Sequence, residues 1–123
     1  MRFAESDGGG GYRIEAYGPE GIRLAGRTII GGLILTPQRL IEGWGPGTAA
    51  ELRDDHIDPL IALMPELILL GTGAHQVFPP APVYARILAL GIGCEVMDTG
   101  AACRTYNIVM AEGRRVAAGL LPL

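Results

Sequence analysis

The sequence predicts an α/β domain of the α+β kind, with antiparallel strands first and an α-β-α-β-α-β alternation after them. Three observations carry this. Leu67-Ile68-Leu69-Leu70 is an unbroken apolar run that ends in Gly71-Thr72-Gly73, as expected of a strand covered on both faces. Before it, Tyr12 to Tyr17 and Ile22 to Leu24 alternate apolar with polar residues, the period of a half-buried strand. After it, helix-spaced apolar residues alternate with short apolar runs.

Taken in order, Ser6 to Gly11 holds four consecutive glycines, so residues 1–11 are expected to be a mobile leader and residues 12–123 a single globular domain. Tyr12 to Tyr17 reads as a strand, Gly18-Pro19-Glu20-Gly21 as a turn, and Ile22 to Leu24 as the return of a hairpin. Thr28 to Leu35 is β-branched and apolar around Gly31-Gly32, which indicates a strand with a bulge or a close backbone approach. Arg39 to Trp44 reads as a further strand, and Thr48 to Glu51 resembles a capping box.

Asp58-Pro59 has the form of a helix start, with Leu60, Ile61, Leu63 and Met64 as the apolar face and Pro65 as the stop. The strand Leu67 to Leu70 follows. A second helix is expected from Val83 to Leu90, opened by Pro82 and closed at Gly91. Ile92 to Met97 is strand-like. Asp98 or Thr99 can cap a third helix running to about Glu112, with Gly113 as its stop, and Arg115 to Leu121 forms the last strand. No internal repeat is visible.

Composition excludes several classes of function. Apolar residues make up 49% of the 123 and charged residues 19%, which is too apolar for a disordered chain. The net charge of −3 argues against nucleic acid, and Arg114-Arg115 alone does not amount to a basic patch. Mean hydropathy is positive, yet the richest stretch, Ile57 to Leu70, is broken by Asp58, Pro59, Pro65 and Glu66, so no membrane insertion is expected. The first residues lack the apolar core of a signal peptide, and a cytoplasmic address is the expectation. Cys94 and Cys103 are too few for a disulfide framework or a zinc shell.

Two segments could carry chemistry. Gly71-Thr72-Gly73 should lie at the carboxyl end of the sheet, where open α/β sheets collect ligands. It is not a dinucleotide fingerprint, no phosphate-loop lysine follows, and a turn needing positive φ is the weightier reading. His75 just beyond it is the better-placed general base of the two histidines, although a loop histidine is ordinarily just solvated. Thr99 to Asn107 is the densest polar stretch: amides at a helix start can hold an anion, with Arg104 and Thr105 close in sequence. Cys103 beside Arg104 could be activated, but a small buried thiol packing against the sheet is favoured. Asp54, Asp55, His56 and Asp58 suit helix capping better than a metal. No serine follows Ser6, and no spaced carboxylate pair suggests a glycosidase. No catalytic residue, metal site or cofactor is therefore assigned.

Several segments occur in a recognisable order: Gly71-Thr72-Gly73, Gly91-Ile92, Glu95 to Thr99, Ala101-Ala102-Cys103-Arg104-Thr105-Tyr106-Asn107, and Glu112-Gly113-Arg114-Arg115-Val116-Ala117-Ala118. Together they resemble the small family that includes the mitochondrial complex I assembly factor 3 and an adipogenesis-associated single-domain protein. The likeness is close over residues 67–123 and looser through Tyr17 to Ile22 and Thr36-Pro37. Gly119 departs from it, since alanine is expected there. The resemblance implies a three-layer β/β/α fold and no established catalytic residue, and its mitochondrial members act in assembly with partner proteins. The expectation is thus a non-enzymatic module that binds a protein partner, as a monomer or a homodimer. The alternative is a small-molecule or anion site between Gly71 to His75 and the helix start at Thr99 to Arg104.

Overall fold

The computed structural model describes residues 3–5 and 11–123. Strands β1 (Phe3–Glu5), β2 (Ala16–Gly18), β3 (Gly21–Leu24), β4 (Arg27–Ile29), β5 (Leu33–Leu35) and β6 (Arg39–Glu42) come first. Then follow α1 (Asp54–Ile61), β7 (Leu67–Gly71), α2 (Ala81–Ala89), β8 (Gly93–Met97), α3 (Thr99–Ala111) and β9 (Val116–Leu120). The six-stranded sheet runs β1-β6-β5-β9-β7-β8, and β2-β3-β4 form a small antiparallel sheet. β7 pairs in parallel with both β8 and β9, while β5 joins β9 antiparallel. The α+β class and the N-terminal antiparallel strands are as the sequence predicts.

The large sheet separates two cores. On one face Leu33, Leu35, Leu67, Leu69, Ala118 and Leu120 meet the small sheet and α3. On the other, Ile34, Ile68, Leu70 and Ala117 meet Ile57 and Leu60 of α1 and Val83 and Ile87 of α2. This is the β/β/α layering, with α3 sharing the layer of the small sheet. Every residue of β7 and β9 is buried, because both strands have neighbours on each side and cover on each face.

Several boundaries differ from expectation, each for a local reason. Of Tyr12 to Tyr17 only the end is regular strand, in β2, although Glu15 N–H also donates to the Arg23 carbonyl at 2.8 Å. Upstream, Tyr12 N–H donates to the Pro37 carbonyl and Ile14 bonds to a side chain of α3, so the partners sit on different elements. Thr28 to Leu35 splits into β4 and β5 as the chain leaves one sheet for the other. A Cβ on Gly32 would fall 1.8 Å from the Trp44 carbonyl oxygen, which is the close approach the glycine pair signalled.

Helix α1 begins at Asp54, so Asp58-Pro59 is interior. Asp54 and Asp55 occupy the first turn, and His56 Nδ1 accepts the Arg53 N–H at 3.0 Å. The helix ends at Ile61, and the exit is made by Met64 at φ 55°, before Pro65. Ala49–Glu51 is a 3-10 turn, and its N-cap Thr48 makes no side-chain capping bond. For α3 the cap is Asp98, whose carboxylate accepts the Ala101 N–H at 2.8 Å. The leader expected over residues 1–11 lies mostly outside the described residues; of it, Phe3–Glu5 pairs antiparallel with β6.

Candidate functional site

At the carboxyl end of β7, the loop and the start of α3 meet and tie to the C-terminus. Thr99 is fully buried; its Oγ1 accepts the Gly73 N–H at 2.8 Å and donates to the Leu121 carbonyl at 2.7 Å. Thr99 N–H donates in turn to the Gly73 carbonyl at 2.9 Å. Thr72 Oγ1 donates to the His75 carbonyl at 2.6 Å and accepts the Val77 N–H at 3.0 Å, which closes the loop on itself. A Cβ at Gly71 would fall 2.9 Å from Leu120 and 3.0 Å from Thr99 Oγ1, so only glycine admits α3 so close. Gly73 holds φ 96°, the left-handed backbone the turn needs. The His75 residue is exposed at the rim.

Along α3 the remaining predicted residues diverge. Cys103 is buried, and that burial pushes its thiol up to about 12, outweighing the opposing pull of Arg104. The Arg104 guanidinium donates to the Tyr17 hydroxyl and lies 5.9 Å from the Tyr17 ring centroid. Thr105 Oγ1 points to Met97 Sδ at 3.4 Å. Asn107 pairs with the backbone of Ile14 like one rung of a ladder: Oδ1 accepts its N–H at 2.9 Å and Nδ2 donates to its carbonyl at 2.8 Å. Beside it, the buried Tyr106 hydroxyl donates to the Tyr12 carbonyl at 2.7 Å.

The fold therefore gathers Gly71, Thr72, Gly73 and Thr99 into one hydrogen-bonded knot. It places Cys103, Arg104 and Asn107 along a shallow opening of about 190 Å³ facing Arg13 to Tyr17. No buried side-chain nitrogen or oxygen lacks a partner among the described residues. The acidic cluster is also engaged: Asp55 pairs with Arg53 at 2.9 Å, and Arg86 reaches Asp54 at 3.6 Å and bonds Asp58. No group of three or more potential metal ligands occurs among the described residues.

A larger feature escaped the sequence reading. An open groove of about 810 Å³ lies at the opposite end of β7, where Arg39, Met64, Arg114 and Arg115 come together. Arg114-Arg115 is visible as a basic pair, but Arg39 joins it only through the order of strands in the sheet.

The fold and these contacts define a β/β/α domain whose most distinctive polar side chains hold its own layers together. The chain belongs to the family described as "Protein of unknown function (DUF498/DUF598)", which it matches over residues 14–121. An uncharacterized protein of Rhodobacter capsulatus is 36% identical over 114 residues, 93% of this chain and 87% of that one. NADH dehydrogenase [ubiquinone] 1 alpha subcomplex assembly factor 3 of Danio rerio is 31% identical over 124 residues, covering 99% of this chain and 71% of the fish protein. Among solved structures, a crystal structure of a Bordetella parapertussis protein superposes with TM-score 0.85 at 35% identity, over 92% of this chain and 97% of that one. The family resemblance drawn from the α3 segment and its neighbours is thereby established.

Proposed function

We propose that the chain is a non-enzymatic, protein-binding module that acts in the assembly of a larger complex from the cytoplasm. The observation that carries this is the likeness, over nearly its whole length, to a vertebrate protein named as an assembly factor. The chemistry of the signature residues supports it, because Thr99, Tyr106 and Asn107 spend their polar atoms inside the fold. Among the described residues, no helix is long and apolar enough to cross a membrane.

Tagged protein expressed in its own host and chemically cross-linked tests this. A partner recovered in fixed stoichiometry, and reconstituted from purified components as a heavier species, is the expected result. If both steps return only this chain, as a monomer or a homodimer, the reading fails.

The second reading is an anion or small-molecule site between Gly71 to His75 and Thr99 to Arg104; the opening bordered by Cys103, Arg104 and Asn107 faces Arg13 to Tyr17 instead, so only the Arg104 end of that helix start favours it. The Asp98 carboxylate already occupies the helix N-terminus and would repel an anion there. Titration with nucleotides and inorganic phosphate would move the amides of Gly73 and Arg104 if this reading holds. Unmoved amides there would dismiss it.

A further inference from the structure

The groove at the amino end of β7 differs in charge from the rest of the molecule. The chain carries 13 acidic and 10 basic residues. Among the described residues, however, the charged side chains lining the groove are Arg39, which is already engaged, and Arg114 and Arg115. Arg114 and Arg115 form no ion pair among the described residues. The nearby Glu66 carboxylate is engaged by the Arg115 backbone N–H at 2.9 Å. Arg115 Nε reaches the Met64 carbonyl at 3.4 Å, which sets its guanidinium beside that residue.

The C-terminal ends of α1 and α3 also open towards this groove, and their carbonyls attract cations. Met64 stands beside them. This residue holds φ 55°, a backbone region that suits glycine or asparagine, and it is 78% exposed. Its backbone serves the exit of α1, and its flexible, polarizable apolar side chain is left standing at the groove rim, available for contact.

Resting on the protein-binding reading above, we propose that this groove takes an extended acidic segment of a partner protein. Carboxylates of that segment pair with Arg114 and Arg115, whose planar forks suit them, and an apolar side chain between them packs on Met64. The concave shape favours a length of chain over a flat lipid surface.

The test titrates the isotope-labelled full chain with three probes: a peptide alternating glutamate and leucine, the same peptide with glutamine for glutamate, and phosphatidylglycerol vesicles. The acidic peptide is expected to move the amides of Met64, Gly113, Arg114 and Arg115. Its affinity should fall about tenfold or more in the double variant Arg114→Glu/Arg115→Glu, and also with added salt. Met64→Gly suits the left-handed backbone, so it should keep the fold while weakening the peptide. An equal response to the glutamine peptide, shifts confined to other surfaces, or indifference to charge reversal would overturn the proposal. So would binding to vesicles with silence towards the peptide. The two readings fail separately. A cellular partner that binds wild type and the charge-reversed variant alike ends only the groove, whereas the absence of any partner ends the module reading beneath it.

Discussion

Gly119, next to last in β9, lies beneath the indole of Trp44, and a Cβ there would fall 2.6 Å from Cη2. The ring cannot retreat easily, since its Nε1 donates to the His56 carbonyl at 2.8 Å and the residue is buried. The glycine that departs from the family's expected alanine is therefore matched to a tryptophan distant in sequence. Gly119→Ala should cost about 1–3 kcal/mol by overpacking, read from urea unfolding. In a Trp44→Leu background most of that penalty should vanish; an undiminished penalty there would show that the crowding lies elsewhere.

The two thiols make a second prediction at this scale. Burial pushes Cys94 and Cys103 from an ordinary value of 9.0 up to about 12. Below pH 9 both folded and unfolded chains keep the protons, so the thiols give no pH dependence. Between the two values the unfolded chain releases its protons first, and stability falls as pH rises, by at most about 1.4 kcal/mol per pH unit for each thiol. The buried Tyr106 hydroxyl, raised as well, adds to the same alkaline loss. Iodoacetamide at pH 8 should leave both cysteines unmodified in the native protein and label both in urea. Rapid native labelling of Cys103 would instead mark an accessible thiolate and reopen a nucleophilic role.

At the scale of elements, α3 works as a post to which the N-terminal segment is tied. Tyr106 holds the Tyr12 carbonyl and Asn107 holds both backbone groups of Ile14, so one turn of helix supplies backbone partners to the segment just before β2. Asn107→Leu, similar in size but apolar, should destabilise by about 2 kcal/mol, because the Ile14 groups lose their partners within a half-buried site. Amide exchange should quicken in β2 and β3 more than within α3. Asn107→Asp can still accept from the Ile14 N–H but cannot donate to its carbonyl, so it should recover only part of the loss. By contrast, the exposed Arg86 pairs with Asp54 and Asp58 should matter little, and Arg86→Ala is expected to change stability by less than about 1 kcal/mol.

Over the whole molecule, stability should be greatest where cover is complete. β7 and β9 are paired on both sides and buried on both faces, whereas β8 is an edge whose Val96 carbonyl is bonded by the Gln76 side chain at 2.9 Å. Hydrogen exchange should therefore find the slowest amides in Leu67 to Gly71 and Val116 to Leu120, with Gly93 to Met97 opening at lower cost. Equal protection across the three strands would contradict this ordering.

Much of this was legible in the chain alone. The apolar run Leu67 to Leu70, the glycine stops at Gly91 and Gly113 and the cap at Asp98 are local patterns, and local backbone physics decides them. So is the series from Ala101 to Asn107, whose residue types announce the family even though their partners lie far away. Helix α1 was misplaced because Asp58-Pro59 satisfies the rules of a helix start, while Asp54, Asp55 and His56 satisfy them earlier.

What no local pattern contains is which distant residue meets which. A fully apolar strand does not say which face looks towards α3, and the assignment of Leu67 and Leu69 to one core and Ile68 and Leu70 to the other follows from packing. The polar atoms of Thr99 and Asn107 read equally as ligand donors until Gly73, Leu121 and Ile14 are seen to use them. Arg39 and Arg114 share a groove only because β5 lies between β6 and β9. The class of fold and the family are written in the chain, since both rest on short-range preference and residue type. Which polar groups are spent within the fold and which surface stays open emerges from folding, because hydrogen bonding and charge depend on distances that chain order does not encode.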